Sequence, residues 1–283
     1  MGIVNNKDII YQNSKSFFWA SKFLPKGTLE KVINIYSFCR IQDDIVDEGL
    51  LIENSKEALE LKAIIKSYGI SEELISELID GINSDINFTR YKDNAELLRY
   101  CYKVAGAVGL MMLSALEIKA KDARYFAIDL GIAMQLTNIS RDIVQDYKKN
   151  RIYLPENTGI DKICMSNMTD QNQKKIQKTV KNLLIKADIF YKSSLNGMRF
   201  IPIQSRISIL IALRIYQAIG KKIRNTGLIF LHENIYVSKK EKLFIVIKTI
   251  FEFLIFFLIP LYRKKHNKYL HESLIGLLDV NAK

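Results

Sequence analysis

The chain has 283 residues, is 48% hydrophobic, and sets 42 Lys and Arg against 30 Asp and Glu, for a net charge of +12. That apolar content, with only 4 prolines, excludes a disordered chain and is enough for one large core or two modest ones. The 3 cysteines, Cys39, Cys101 and Cys164, show no CxxC spacing, which argues against a disulfide framework or a zinc site and suits a reducing compartment.

The opening stretch, "MGIVNNKDIIYQNSKSFF", lacks the apolar run of a secretory signal. Gly2 begins a myristoylation pattern, but Asn6 stands where that pattern wants Ser or Thr. Apolar residues at helical spacing then predict helices over 28–48, 55–67, 71–82, 94–119, 122–149, 170–194, 205–224 and 239–259. Most follow a Ser, Thr, Asp or Asn that can cap them. Pro25, Pro155 and Pro202 punctuate the loops between them. "NIYVS" at 234–238 is the best short strand candidate. With no repeat and no low-complexity linker, residues 1–283 are expected to form a single all-α domain.

Near the C-terminus, residues 243–262 are apolar except for Lys248, Thr249, Glu252 and Pro260. The length could span a bilayer, which takes about 20 residues. Lys248 and Glu252 would then lie near the middle of the span, at a cost of ~2.5 kcal/mol or more each. Four positions apart, they can pair with each other. The expectation is a buried core helix rather than a spanning one, with contact to a membrane surface left open.

Two helices carry acidic stripes. "CRIQDDIVDE", residues 39–48, places Asp43 and Asp47 four apart, and "QLTNISRDIVQDYKKNRIYLP", residues 135–155, does the same with Asn138, Asp142 and Asp146. Such like charges repel along a helix. Either stripe alone is what many solvated helix faces carry. Two in one all-α chain, each bordered by apolar residues and each with an Arg beside it, Arg40 and Arg141, are harder to read that way. Oxygen ligands with no His or Cys nearby select hard cations, Mg²⁺ above all. Guanidiniums suit phosphate oxygens. The pattern predicts a metal-diphosphate site at the mouth of an apolar helical bundle.

These blocks resemble the squalene/phytoene synthase family. The resemblance rests on "NSKSFFWASKFLP" (13–25), "IYSFCRIQDDIVDE" (35–48), "YCYKVAGAVG" (100–109) and "MQLTNISRDIVQDYKKNRIYLP" (134–155), with "ALRIYQAIGKKI" (212–223) a weaker fifth. It implies an all-α isoprenoid-synthase bundle with a central cavity. It implies Mg²⁺, which Mn²⁺ can replace, at Asp43, Asp47, Asn138, Asp142 and Asp146. Diphosphate would be bound by Ser14, Lys15, Tyr36, Arg40, Gln135, Arg141 and Tyr216. Tyr102 matches a pocket tyrosine near the reacting carbons, and joins Arg40 and the four aspartates as the catalytic set.

The implied reaction joins two allylic isoprenoid diphosphates head to head, through a cyclopropylcarbinyl diphosphate, to a linear hydrocarbon. The wording "QLTNISRDI" and "YQAIGKKI" is closer to bacterial phytoene synthases, which use two twenty-carbon substrates. Squalene or dehydrosqualene from two fifteen-carbon substrates is the alternative, with NADPH needed only for squalene. One departure is Asn234, where the family usually has Arg; Arg224, Lys221 or Lys222 could substitute.

Gly106, Ala107 and Gly109 could leave room for a prenyl chain, though on the residues alone ordinary close helix packing is the favoured reading. His232, His266 and His271 lie downstream of the motif blocks, which argues against a histidine base. A basic helical nucleic-acid-binding protein and a non-catalytic assembly protein are the readings of another class. Arginines set among aspartates argue against nucleic acid, and intact acidic stripes against a silent protein. The expected location is cytoplasmic, peripheral at the inner membrane face.

Overall fold

The computed structural model describes residues 15–47, 56–233, 235–258 and 262–281. The predicted helices form close to where the apolar spacing puts them. They are α1 (Lys15–Ser21), α2 (Lys26–Asp47), α3 (Lys56–Ser67), α4 (Glu72–Asn83) and α5 (Asn94–Cys101). A π-helical turn (Tyr102–Gly106) leads into α6 (Ala107–Ala115). Then come α7 (Ala123–Lys148), α8 (Lys162–Ser166), α9 (Asp170–Ser194), α10 (Ile203–Asn225) and α11 (Lys239–Leu258). Side-chain caps open several of them: Ser71 accepts from Leu74, Asp93 from Ala95 and Glu96, and Thr169 from Asn172. The short α1 and α8 were not expected. Residues 235–238 form no strand.

The helix expected over 94–119 differs in two ways. Its middle widens into the π turn, and it ends at Ala115. The end is a 6→1 closure in which Ile118 donates to the Leu113 carbonyl at 2.9 Å, with Glu117 in the left-handed region at φ 56°.

α7 is the central element. It buries Phe126, Ile128, Ile132, Ala133, Leu136, Ile139 and Ile143, and packs against α6, the π turn, α9 and α10. Two glycines allow the approach on its α6 side. A Cβ on Gly131 would lie 2.2 Å from the Ala105 carbonyl oxygen, and one on Gly109 2.3 Å from that of Ala127. α2 buries Ile35 and Phe38 in a second cluster with α3, α4 and α6. Each fully buried side chain of that size contributes about 1.5–3 kcal/mol.

α7 also buries a carboxylate, Asp129. Its two oxygens lie 3.0 Å from His266 Nε2 and 3.1 Å from His271 Nε2. The backbone N–H of Asn281 donates to His271 Nδ1 at 2.9 Å, so the proton of that ring sits on Nε2 and points at Asp129. His271 therefore has no lone pair left for a metal. The cluster is a hydrogen-bonded clasp holding the C-terminal segment on α7. Arg99 adds bonds to the Ser273 and Ile275 carbonyls, and Arg124 pairs with Asp279.

α11 lies on α10 through Val246 and Thr249. Glu252 does not pair with Lys248 as expected. It accepts from Arg214 of α10, with Nε at 2.9 Å, and Lys248 is exposed. A partner on a neighbouring helix satisfies the half-buried carboxylate better than an exposed lysine on its own. No helix among the described residues is long and apolar enough to cross a membrane.

Candidate active site

Both acidic stripes fall in the last turns of their helices, Asp43 and Asp47 at the end of α2, Asp142 and Asp146 near the end of α7. The helix dipole leaves partial negative charge there, so these carboxylates sit where a helix least favours them. Cations offset part of the cost. Lys149 Nζ and Arg151 Nη1 reach the Asp47 oxygens at 2.7 and 2.9 Å, which brings the ends of α2 and α7 together. Arg141 grips its neighbour Asp142 at 2.7 and 2.5 Å. Arg40 pairs with Asp44, with Nε at 3.0 Å, rather than with Asp43.

Burial pushes Asp47 up, but the bonds from Lys149 and Arg151 outweigh it and hold the carboxyl below its ordinary value. Asp43 and Asp146 are different. Asp43 keeps part of its side chain exposed. Crowding by protein, together with the charges of Asp47, Asp85 and Asp44, pushes its carboxyl up to about 7 although Arg40 opposes. Burial and the charges of Asp142 and Asp85 raise Asp146 to about 7 as well.

Asp85 bears on both stripes, and sequence reasoning missed it. It lies in the turn after α4 and is held by two tyrosines, Tyr100 at 2.9 Å and Tyr153 at 2.8 Å, both donating to Oδ2. Its Oδ1 is buried without a hydrogen-bond partner. Burial, chiefly, raises its carboxyl. A lone Asp in a polar turn gives no periodic signal, so only the folded chain brings it to the site.

The donor set fits a hard divalent cation. Asn138 Oδ1, on the same face as Asp142 and Asp146, is buried with no hydrogen-bond partner, while its Nδ2 donates to Gln135 at 3.3 Å. An orphaned amide oxygen near carboxyls raised by burial and by neighbouring acidic charge, Asp43 and Asp146, is an oxygen-only site short of positive charge.

A cavity of about 290 Å³ begins at this point. Tyr36, Gln135 and Asn138 line its polar end. From Asn138 it follows α7 inward past Met134, Leu130 and Ala127 to Phe126, with Phe200 alongside. That run of about 18 Å of helix is apolar, a surface along which a prenyl tail can lie. Among the described residues, the lining contains no Lys, Arg, His, Asp or Glu.

Not every expected residue is there. Tyr102 is fully buried and outside the lining; its hydroxyl donates to the Leu278 carbonyl at 2.7 Å, and burial raises it well out of the physiological range. Gly106 and Ala107 are packed rather than lining, so close approach to α7 explains them, and only Gly109 serves both roles. Tyr216 of α10 is half-buried and close enough to Arg141 to bear on its charge. Ser14, the Lys15 side chain and Asn234 lie outside the described residues. Of the cations that could substitute at that loop, Arg224 pairs with Asp188, and Lys222 with Glu241 at 2.9 Å.

The Squalene/phytoene synthase family model matches residues 10–63 and 54–241. The chain belongs to the squalene/phytoene synthase family. It is 31% identical over 265 residues to the 15-cis-phytoene synthase of Enterobacter agglomerans, covering 83% of this chain and 90% of that one. Identity is also 31% to the 4,4'-diapophytoene synthase of Staphylococcus haemolyticus, over 83% of this chain and 91% of that protein. A solved dehydrosqualene synthase superposes with a TM-score of 0.77 at 27% identity, covering 88% of this chain and 95% of that chain. Membership of the squalene/phytoene synthase family makes the chain a prenyltransferase of all-α fold, as its motif blocks predicted.

Proposed function

We propose that the chain joins two geranylgeranyl diphosphates head to head to give phytoene. The observation that carries the reading is the position of Asn138, at once on the wall of the apolar cavity and on the acidic face of α7. A substrate with its tail in the cavity would have its diphosphate at the carboxylates. The relatives named as phytoene synthases, several of them bacterial, support the twenty-carbon substrate.

Asp43, Asp47, Asn138, Asp142 and Asp146 would hold Mg²⁺. When bound, Mg²⁺ neutralises charge on a departing diphosphate. Arg40 and Arg141, next to the carboxylates, would turn their guanidiniums to phosphate oxygens. The walls formed by Met134, Leu130 and Phe126 keep water from the allylic cation, and the aromatic faces at the deep end stabilise positive charge. Carbon–carbon bonding to the second substrate's double bond gives a cyclopropane and releases a proton. The described residues of the lining offer no carboxylate, imidazole or amine, and that proton goes to the departing diphosphate or to Tyr36.

A fifteen-carbon reading has its own support in the dehydrosqualene synthase superposition and the diapophytoene synthase relative. Incubation with Mg²⁺ and either geranylgeranyl or farnesyl diphosphate, with and without NADPH, separates the two. Phytoene from the longer substrate without NADPH is expected. A product from farnesyl diphosphate alone would select the second reading.

A greasy substrate, a greasier product and a net charge of +12 also support work at an anionic membrane surface, on the cytoplasmic side.

A further inference from the structure

α11 carries an apolar face that nothing among the described residues covers. Leu243, Phe244, Ile247, Phe251, Leu254 and Ile255 recur at three- and four-residue spacing along one side of it. All six are exposed, Phe244 by 70% and Phe251 by 63%. The opposite side, with Val246 and Thr249, is buried on the protein. Isolated exposed apolar residues are ordinary on a protein surface; a continuous stripe of this length is not.

The charges around the stripe are mostly positive. Lys239 and Lys240 stand at its start, Lys248 on its flank, and Arg263, Lys264 and Lys265 after the helix, all exposed. The exposed acid nearby, Glu241, is engaged by Lys222 at 2.9 Å, and Glu252 turns inward to Arg214. An apolar stripe with a cationic border matches the interface of an anionic bilayer, where rings and aliphatic chains enter the acyl boundary and lysines meet the headgroups. A second copy would bring like charge against like charge. Behind α11, Val246 packs in one cluster with Ala20, Ala212 and Met134, and those three also line the cavity. The cluster behind this helix thus includes residues of the cavity wall.

We propose that the outer face of α11 docks on an anionic lipid bilayer, next to the cavity wall. The inference rests on the membrane reading above and identifies the element responsible. The full-length chain is sedimented with phosphatidylcholine vesicles, with and without phosphatidylglycerol. The comparison variants are Phe244→Ser/Phe251→Ser and Lys240→Gln/Lys248→Gln, whose substitutions are all at exposed positions, and helix content by circular dichroism confirms each fold. The inference expects the phenylalanine variant to lose vesicle binding by about tenfold or more, while keeping turnover of detergent-dispersed substrate. It expects the lysine variant to lose only the preference for anionic vesicles. If wild type binds and the phenylalanine variant binds equally well, α11 is not the docking element. If wild type binds no vesicle, the membrane reading itself falls. If wild type is instead a dimer that the phenylalanine variant makes monomeric, the face belongs to a second copy and the inference is overturned.

Discussion

Lys149 Nζ lies 2.7 Å from Asp47 Oδ2, joining the residue after α7 to the last residue of α2. With Arg151 on the other oxygen at 2.9 Å, it puts positive charge where a metal ion would be wanted. The two cations therefore compete with a divalent ion for Asp47. Lys149→Met should tighten Mg²⁺ binding in the absence of substrate. Since Lys149 is half exposed, its loss should cost metal-free stability no more than about 1 kcal/mol. Thermal melting against Mg²⁺ concentration measures both; an unchanged midpoint concentration would refute the competition.

Asp43→Ala and Asp142→Ala should each abolish turnover with the helical fold intact. Both should also remove most of the rise in melting temperature that Mg²⁺ gives the wild type, since a ligand stabilises only the state it binds. Normal turnover by either variant at saturating Mg²⁺ would defeat the metal assignment.

Asp85 bears on the same ion from farther away. Asp85→Asn keeps an acceptor for Tyr100 and Tyr153 and removes a charge that pushes Asp43 and Asp146 up. The variant should be at least as stable as wild type without metal and should bind Mg²⁺ several-fold more weakly, because charges so close remain coupled through protein. Isothermal titration decides it, and equal affinity would mean that Asp85 only braces the tyrosines.

Much of this was legible before folding. Spacing alone located the long helices and both acidic stripes, because a 3.6-residue period writes burial directly into sequence. Asp142 and the Arg141 that grips it are neighbours in sequence, but the pairing of Asp47 with Lys149 could not be read, since the two are 102 positions apart. Asp85 and the Asp129 clasp gave no signal for the same reason: each is defined by partners from distant segments. The direction of Tyr102 gave no signal either, because its hydroxyl meets the Leu278 carbonyl 176 positions away.

The clasp sets a pH dependence. Burial pushes the Asp129 carboxyl up, but hydrogen bonds from His266 and His271 outweigh it and hold it below the ordinary 3.8. A depressed folded pKa means that the unfolded chain takes up its proton first. The stability Asp129 contributes is therefore present above 3.8 and lost as pH falls through the folded value. Asp129→Ala should cost about 3–5 kcal/mol at neutral pH, the usual price of leaving a buried group without its partner. Urea unfolding at pH 7 and again in mild acid checks the size and the sign; a deficit that grew with acidity would contradict it.

The central claim is that a prenyl tail lies along α7 while its diphosphate sits between the two acidic turns. The most direct measurement is a crystal structure with Mg²⁺ and a non-ionisable thio analogue of geranylgeranyl diphosphate. The account predicts metal density bounded by Asp43, Asp47, Asn138, Asp142 and Asp146, with the tail passing Met134 and Leu130 toward Phe126. A diphosphate bound away from those five residues, or a tail outside the cavity, would contradict it.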